Sequence, residues 1–322
     1  MQVHASAWII TVAVMAALLA VDVLIIGRRP HVPSMRECTL LVGLFVALAV
    51  LFGAGIWVVS GPVYGKEFFA GWLTEYSLSV DNLFIFLLIM DKFRVPARLQ
   101  QFGLLVGIIL ALVFRGVFIG LGAAMIASMA WVFFLFGAFL LYTAVDLVRD
   151  FLDGSAEEEE ATENLVMRFV RRRFPASEEF HGTRLTLQEG GRRLVTPMLI
   201  VIVALGTTDV MFALDSIPAI YGLTQEPYLV FTANVFALMG LRQLYFLLGG
   251  MLKKLVYLPL GLAVILAFIG VKLLLHAAHH YRLDRSWPVS AEIPVETSLL
   301  VIVVTLAVTV TASLVRSRSA AE

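Results

Sequence analysis

Charge is scarce in this sequence. Asp, Glu, Lys and Arg make up 15% of the 322 residues, where a soluble domain carries about a quarter. Such a chain cannot cover itself with polar surface, which excludes a water-soluble enzyme or regulator and makes lipid its solvent. Cysteine is nearly missing. Cys38 stands alone, so no intramolecular disulfide can form. Also missing are HExxH, G-x-S-x-G and Walker A motifs, so neither an enzyme nor an ATP-driven pump is expected within this chain. Nothing favours nucleic-acid binding.

What is present is apolar sequence, 60% of the residues. Hydropathy predicts an all-α membrane protein with nine transmembrane helices of roughly 20 residues, the length that crosses about 30 Å of hydrocarbon. They lie near 7–26, 39–59, 68–90, 103–125, 129–148, 196–217, 229–250, 257–276 and 297–315. The first stretch lacks the basic start and small-residue cleavage site of a signal peptide and reads as a retained span. Lys and Arg sort by loop. Eighteen fall in one alternate set, including the eight arginines between 149 and 194, and only Lys66, Arg282 and Arg285 fall in the other. The positive-inside rule then puts the N-terminus outside and the C-terminus in the cytoplasm. Trp8, Trp57, Trp72 and Trp131 sit in the outer parts of their spans, as an interfacial belt would. Between 151 and 195 a polar cytoplasmic loop carries an acidic run and a basic run. A short amphipathic helix is expected around Leu165–Val170, and a small hairpin after Arg184.

Two spans break the apolar rule alike. The third reads Thr74-Glu75, then five residues, Asp81-Asn82. The sixth reads Thr208-Asp209, then five residues, Asp215-Ser216. Arg115 in the fourth span has a counterpart in Arg242 in the seventh, and Ala138-Phe139 one in Ala267-Phe268 ahead of Lys272. Residues 61–150 and 196–280 therefore look like two three-helix units. Three is odd, so the second unit enters from the opposite side, an inverted repeat typical of secondary transporters. Residues 1–60 and 281–322 would add peripheral spans.

Helical geometry separates the acids. Positions seven apart share a face, so Glu75 aligns with Asn82 and Asp209 with Ser216. Positions six apart lie about 120° apart, so Asp81 and Asp215 point elsewhere unless the helix breaks, and Pro218 is a place for a break. Each mid-helix carboxylate costs roughly 2.5–3.5 kcal/mol on insertion scales, and four cost on the order of 10 kcal/mol. Either Arg115, Arg242 and Lys272 neutralise them as supporting charges, or the acids take a cation. The oxygen donors Glu75, Asp81, Asn82, Asp209, Asp215, Ser216, Thr208, Thr207 and Asn234 suit Mn²⁺, Ca²⁺ or Mg²⁺. Like charges resist ionising together, so protons would exchange with the ion. Asp22 and Asp146 lie near inner span ends, and His276, His279 and His280 cluster at an outer mouth.

The stretches Glu75-Tyr-Ser-Leu-Ser-Val-Asp81-Asn82-Leu-Phe and Asp209-Val-Met-Phe-Ala-Leu-Asp215-Ser216-Ile-Pro218 resemble the paired signatures of the TerC family, its Alx-like branch in particular. Asn234 to Arg242 and Ala267 to Lys272 are similar as well. The resemblance spans about Gly61 to Leu275. It implies a bacterial inner-membrane protein, associated by name with tellurium resistance, that exports Mn²⁺ as cargo through the two acidic motifs, with no permanently bound cofactor. Where the family pattern suggests an acid, this chain has Gly206. A membrane scaffold or stress-response component with structural buried charges is the alternative, as is a carrier of another hard divalent ion such as Ca²⁺. The bilayer and a divalent ion are the partners expected; no protein partner is legible.

Overall fold

The computed structural model of the chain describes residues 3–28, 33–129, 131–153, 180–189, 192–248, 255–281 and 293–319. Among these are ten helices and one hairpin. The helices are α1 (Ala5–Arg28), α2 (Met35–Ser60), α3 (Pro62–Lys92), α4 (Ala97–Ser128), α5 (Val132–Asp153), α6 (Pro197–Tyr221), α7 (Pro227–Met239), α8 (Leu241–Leu248), α9 (Leu258–His280) and α10 (Val295–Ser319). Counting α7 and α8 as one span, eight described segments are long and apolar enough to cross a bilayer, and α1 adds a further apolar helix. The expected all-helical membrane fold is thus present.

Local chemistry sets several boundaries. Pro62, Pro197 and Pro227 each open a helix at its first position, where the missing N–H has no intrahelical partner to lose. Thr196 caps α6 by accepting from the Leu199 N–H at 3.4 Å, and Ser34 caps α2 by accepting from the Glu37 N–H at 3.2 Å. Gly61 joins α2 to α3 at φ 107°, a conformation that a Cβ would strain. Strands β1 (Thr186–Glu189) and β2 (Arg192–Val195) pair antiparallel, Thr186 opposite Val195, where the hairpin was expected. The predicted amphipathic helix lies outside the described residues.

Three expectations are corrected. Pro218 does not interrupt its span: α6 runs through it and ends one turn later at Tyr221. The seventh span is interrupted instead, at Gly240, between α7 and α8 and two residues ahead of Arg242. Trp72 is 7% exposed and packs with Phe69 and Tyr76 in the interior, so it does not belong to an interfacial belt; Trp57 and Trp131 are exposed.

Helix α3 is the most surrounded: it packs on α2, α6, α7, α8, α9 and α10. Helix α6 packs on α3, α4, α5, α7 and α9. The two helices with intramembrane acids are therefore sheathed by protein, which is where ionisable groups in a membrane are tolerated. The strongest packing pairs are α5 with α9, α4 with α6, and α3 with α7. At the α5–α9 crossing, a Cβ on Gly137 would meet the Gly270 carbonyl oxygen at 2.8 Å, and one on Gly270 would meet that of Gly137 at 3.0 Å. Only glycine allows this approach. Helices α1, α2 and α10 lie outside this core and expose large apolar side chains such as Ile9, Leu51 and Val308, the surface a lipid environment would cover.

Candidate ion-translocation centre

Helices α3 and α6 run in opposite directions. Thr224, just past the end of α6, donates to Glu67 near the start of α3 at 2.6 Å. This antiparallel arrangement brings the first acid of each motif to the same depth. Glu75 and Asp209 are 0% and 1% exposed, and Arg115 of α4, itself 1% exposed, lies between them. Arg115 Nη1 forms an ion pair with Glu75. Its Nε donates to Asp209 Oδ2 at 3.2 Å and its Nη2 to Asp209 Oδ1 at 3.1 Å. Nη1 also donates to the Ser216 hydroxyl at 3.3 Å. Ser216 is seven residues after Asp209, so both occupy one face of α6, as the spacing predicts.

Along α4 and α6, apolar side chains flank the centre on both sides. One turn from Arg115 toward the start of α4 lies Ala111, clustered with Ile108, Leu205 and Leu238. One turn the other way lies Ile119, clustered with Ala213, Ile217 and Tyr221. Asp209 is bracketed alike, by Leu205 and Ala213. Tyr221 is tied down by donating its hydroxyl to the Ile119 carbonyl at 2.7 Å. The charges therefore sit in a protein interior of low dielectric, where their mutual attraction is strong and removing one partner is costly.

Of the other candidates, Asp215 separates as the helical arithmetic predicts. Asp215 leaves this centre; it accepts from the Thr143 hydroxyl of α5 at 3.1 Å. The Asp81 side chain lies outside the described residues. Thr208 is half-buried beside Asp209. Thr207 donates back to the Val203 carbonyl at 2.8 Å. Arg242 is 6% exposed on α8, just past the break at Gly240. Lys272 is not at the acid pair. It donates to Ser298 of α10 at 3.0 Å and lines a separate cavity of about 380 Å³ with Tyr221, Glu67, Thr224, Glu226 and His276. That cavity opens where α3 begins and α6 ends. His276 bonds Gln225 there at 3.0 Å, and His279 and His280 are exposed. Among the described residues, no three His, Cys, Asp or Glu side chains converge as a ready-made metal cluster.

A set of buried polar atoms has no hydrogen-bond partner among the described residues. It includes both amide atoms of Asn234 and Gln243, the Thr74 and Ser79 hydroxyls, Asn82 Nδ2 and Gln101 Oε1. Such atoms are rare in folded proteins and mark places where water or an ion is normally engaged. Glu75, Ser79 and Asn82 form one stripe of α3. Gln101 lies fourteen residues before Arg115 on the same buried stripe of α4 as Leu104, Ile108 and Ala111. Both stripes run from the charged centre toward the end where α3 stops and α4 begins. Ser79, Gln101 and Gln243 escaped the sequence reading. The signal was there for Gln101, a polar residue in helical phase with Arg115.

The integral membrane protein TerC family model matches residues 60–321. An uncharacterized membrane protein of Mycobacterium tuberculosis, Rv2723, is 44% identical over 98% of this chain and 80% of its own length. An uncharacterized membrane protein of Myxococcus xanthus, STKORF319, is 39% identical over 97% of this chain and 93% of its own length. In Escherichia coli K12 a protein named as a proposed membrane-bound redox modulator, Alx, is 36% identical over 83% of this chain and 85% of its own length. No solved structure matches the chain. With a family match over most of its length and relatives of this similarity, the chain belongs to the TerC family of integral membrane proteins.

Proposed function

We propose that this chain is a secondary transporter that exports a hard divalent cation, Mn²⁺ foremost, from the cytoplasm by exchange with protons. The observation that carries the reading is the meeting of Glu75 and Asp209, from two different helices, in one buried centre flanked along α4 and α6 by apolar side chains. Burying two carboxylates together serves stability poorly, since a well-packed apolar core of the same volume is often the more stable choice. A cation-carrying role accounts for them. The stripe of unpartnered polar atoms toward one end and the cavity bearing Glu67 and Glu226 toward the other supply polar approaches from both sides.

The inverted repeat belongs to this reading. Exchanging α3 with α6, α4 with α7, and α5 with α9 turns the α3–α7 contact into α6–α4 and leaves α5–α9 unchanged. All three contacts are among the principal packing pairs. Alternating access then follows as one unit rocking against the other around a fixed centre. The Lys and Arg distribution supports an inner-membrane placement with the N-terminus outside and the C-terminus in the cytoplasm.

A second reading makes the charges structural and the protein a membrane scaffold or stress component. The pairing of both acids with Arg115 favours it. Redox work by thiol exchange within the chain is a poor fit, because Cys38, the only cysteine, is fully buried. Flux decides. In proteoliposomes the transporter carries Mn²⁺, and Asp215→Asn, which leaves the Arg115 pairing untouched, slows it without unfolding the protein. A scaffold carries none.

A further inference from the structure

Arg115 needs a reason to be where it is. Its guanidinium is 1% exposed and contacts oxygens of Glu75, Asp209 and Ser216. Carboxylate and hydroxyl oxygens are also the donors a hard divalent cation takes. Arginine and ion therefore address the same atoms. We propose that Arg115 is a tethered counter-cation: it occupies the carboxylates of Glu75 and Asp209 when no ion is bound, and a divalent ion must displace it to bind. This rests on the transport reading and identifies what competes with the cargo.

Charge counting gives the proposal its consequences. Two carboxylates and one guanidinium in contact leave a formal charge of −1. A divalent ion added with Arg115 in place would make it +1, with two cations crowded in a medium where such repulsion is strong. With Arg115 displaced, the two carboxylates and the ion sum to zero. Occupation by arginine and by ion are thus mutually exclusive. A monovalent ion gains no such neutrality. It replaces one unit charge by another and leaves −1, while the arginine, being covalently attached, has an effective concentration no free ion matches. The tether therefore selects divalent over monovalent cations. It also lowers affinity for the cargo, which lets the ion leave, and it keeps the unloaded centre from holding two bare acids while the helices reorient.

The test uses the whole purified protein in detergent, titrated with Mn²⁺ or Na⁺ in a thermal-shift assay, beside Mn²⁺ flux in proteoliposomes. Arg115→Gln is expected to be less stable than wild type in EDTA and to bind Mn²⁺ roughly tenfold or more tightly. It becomes stabilised by Na⁺, to which wild type is indifferent, and it exports Mn²⁺ more slowly because the ion is held. Arg115→Lys keeps the charge but loses the two-pronged contact with Asp209, so its Mn²⁺ midpoint falls between the two. An arginine with a purely structural role destabilises the protein when removed but does not tighten metal binding. An Arg115→Gln midpoint equal to or weaker than that of wild type overturns the proposal. If that variant does not accumulate even in Mn²⁺-supplemented cells, an Arg115→Lys midpoint no tighter than wild type overturns it equally. Wild-type protein that neither shifts with Mn²⁺ nor carries it refutes the transport reading itself. Wild-type flux with no tightening in the variants refutes only the part assigned to Arg115.

Discussion

Asp209 accepts from Arg115 with both carboxylate oxygens, Oδ2 from Nε at 3.2 Å and Oδ1 from Nη2 at 3.1 Å, across 94 residues of sequence. A two-pronged contact of this kind fixes orientation as well as distance. It holds α4 against α6 at the depth where the charges are most costly to separate.

Asp209→Asn removes the charge and spoils one prong, but Arg115 keeps Glu75. The expected loss of stability is about 1–3 kcal/mol, below the roughly 3–5 kcal/mol of an ion pair broken outright. Ser216→Ala removes a single 3.3 Å contact and is expected to cost about 1 kcal/mol. Denaturation of the detergent-solubilised protein measures both, and a Ser216→Ala cost as large as that of Asp209→Asn would contradict the ranking.

Asp215 and Thr143 form a separate pair on the α5 side. Thr143→Ala is expected to cost less than about 1.5 kcal/mol and to leave Mn²⁺ binding at Glu75 and Asp209 unchanged. Asp215→Asn is expected to slow flux with little effect on stability. The two residues act on passage, not on the charged centre, if thermal-shift midpoints for Mn²⁺ stay at the wild-type value in both variants.

Gly137→Leu or Gly270→Leu places a side chain where a carbonyl oxygen of the facing helix already lies within 3.0 Å of a Cβ. Helices α5 and α9 must then separate, at about 1–3 kcal/mol. Flux is expected to fall with it, since these helices brace the two motif helices. Gly116→Ala, with open space around it, serves as the control and should not lower the unfolding midpoint.

Cys38→Ser changes a buried residue of α2 that touches none of the charged centre's residues through a hydrogen bond or ion pair. Mn²⁺ flux is expected to persist. Loss of flux with the protein still folded would point instead to thiol chemistry.

The sequence made the spans, the hairpin and the separation of Asp209 from Asp215 legible, because hydropathy and helical phase are local. It could not reveal that Arg115 bridges Glu75 and Asp209. That depends on three helices meeting, and spacing along one helix says nothing about its neighbours. It offered the arginines as partners of the acids or as onlookers, and only packing decided which arginine and which acids. The break in the seventh span was missed because a single glycine inside a span does not by itself mark a helix end, even with Arg242 and Gln243 just beyond it. The break considered at Pro218 did not form: the proline forfeits the one bond its N–H would make to the Leu214 carbonyl, yet α6 runs through it for three more residues to Tyr221. Trp72 was misplaced because aromatic position along a span does not show whether the face is turned toward lipid or protein.

The central claim is that Glu75 and Asp209 carry a divalent ion, and flux of Mn²⁺ into or out of proteoliposomes across a pH gradient, for wild type, Glu75→Gln and Asp209→Asn, tests it most directly. The account predicts movement driven by the gradient in wild type and its loss, roughly tenfold or more, in both variants while they remain folded. Equal flux in the folded variants, or none in folded wild type, would contradict it.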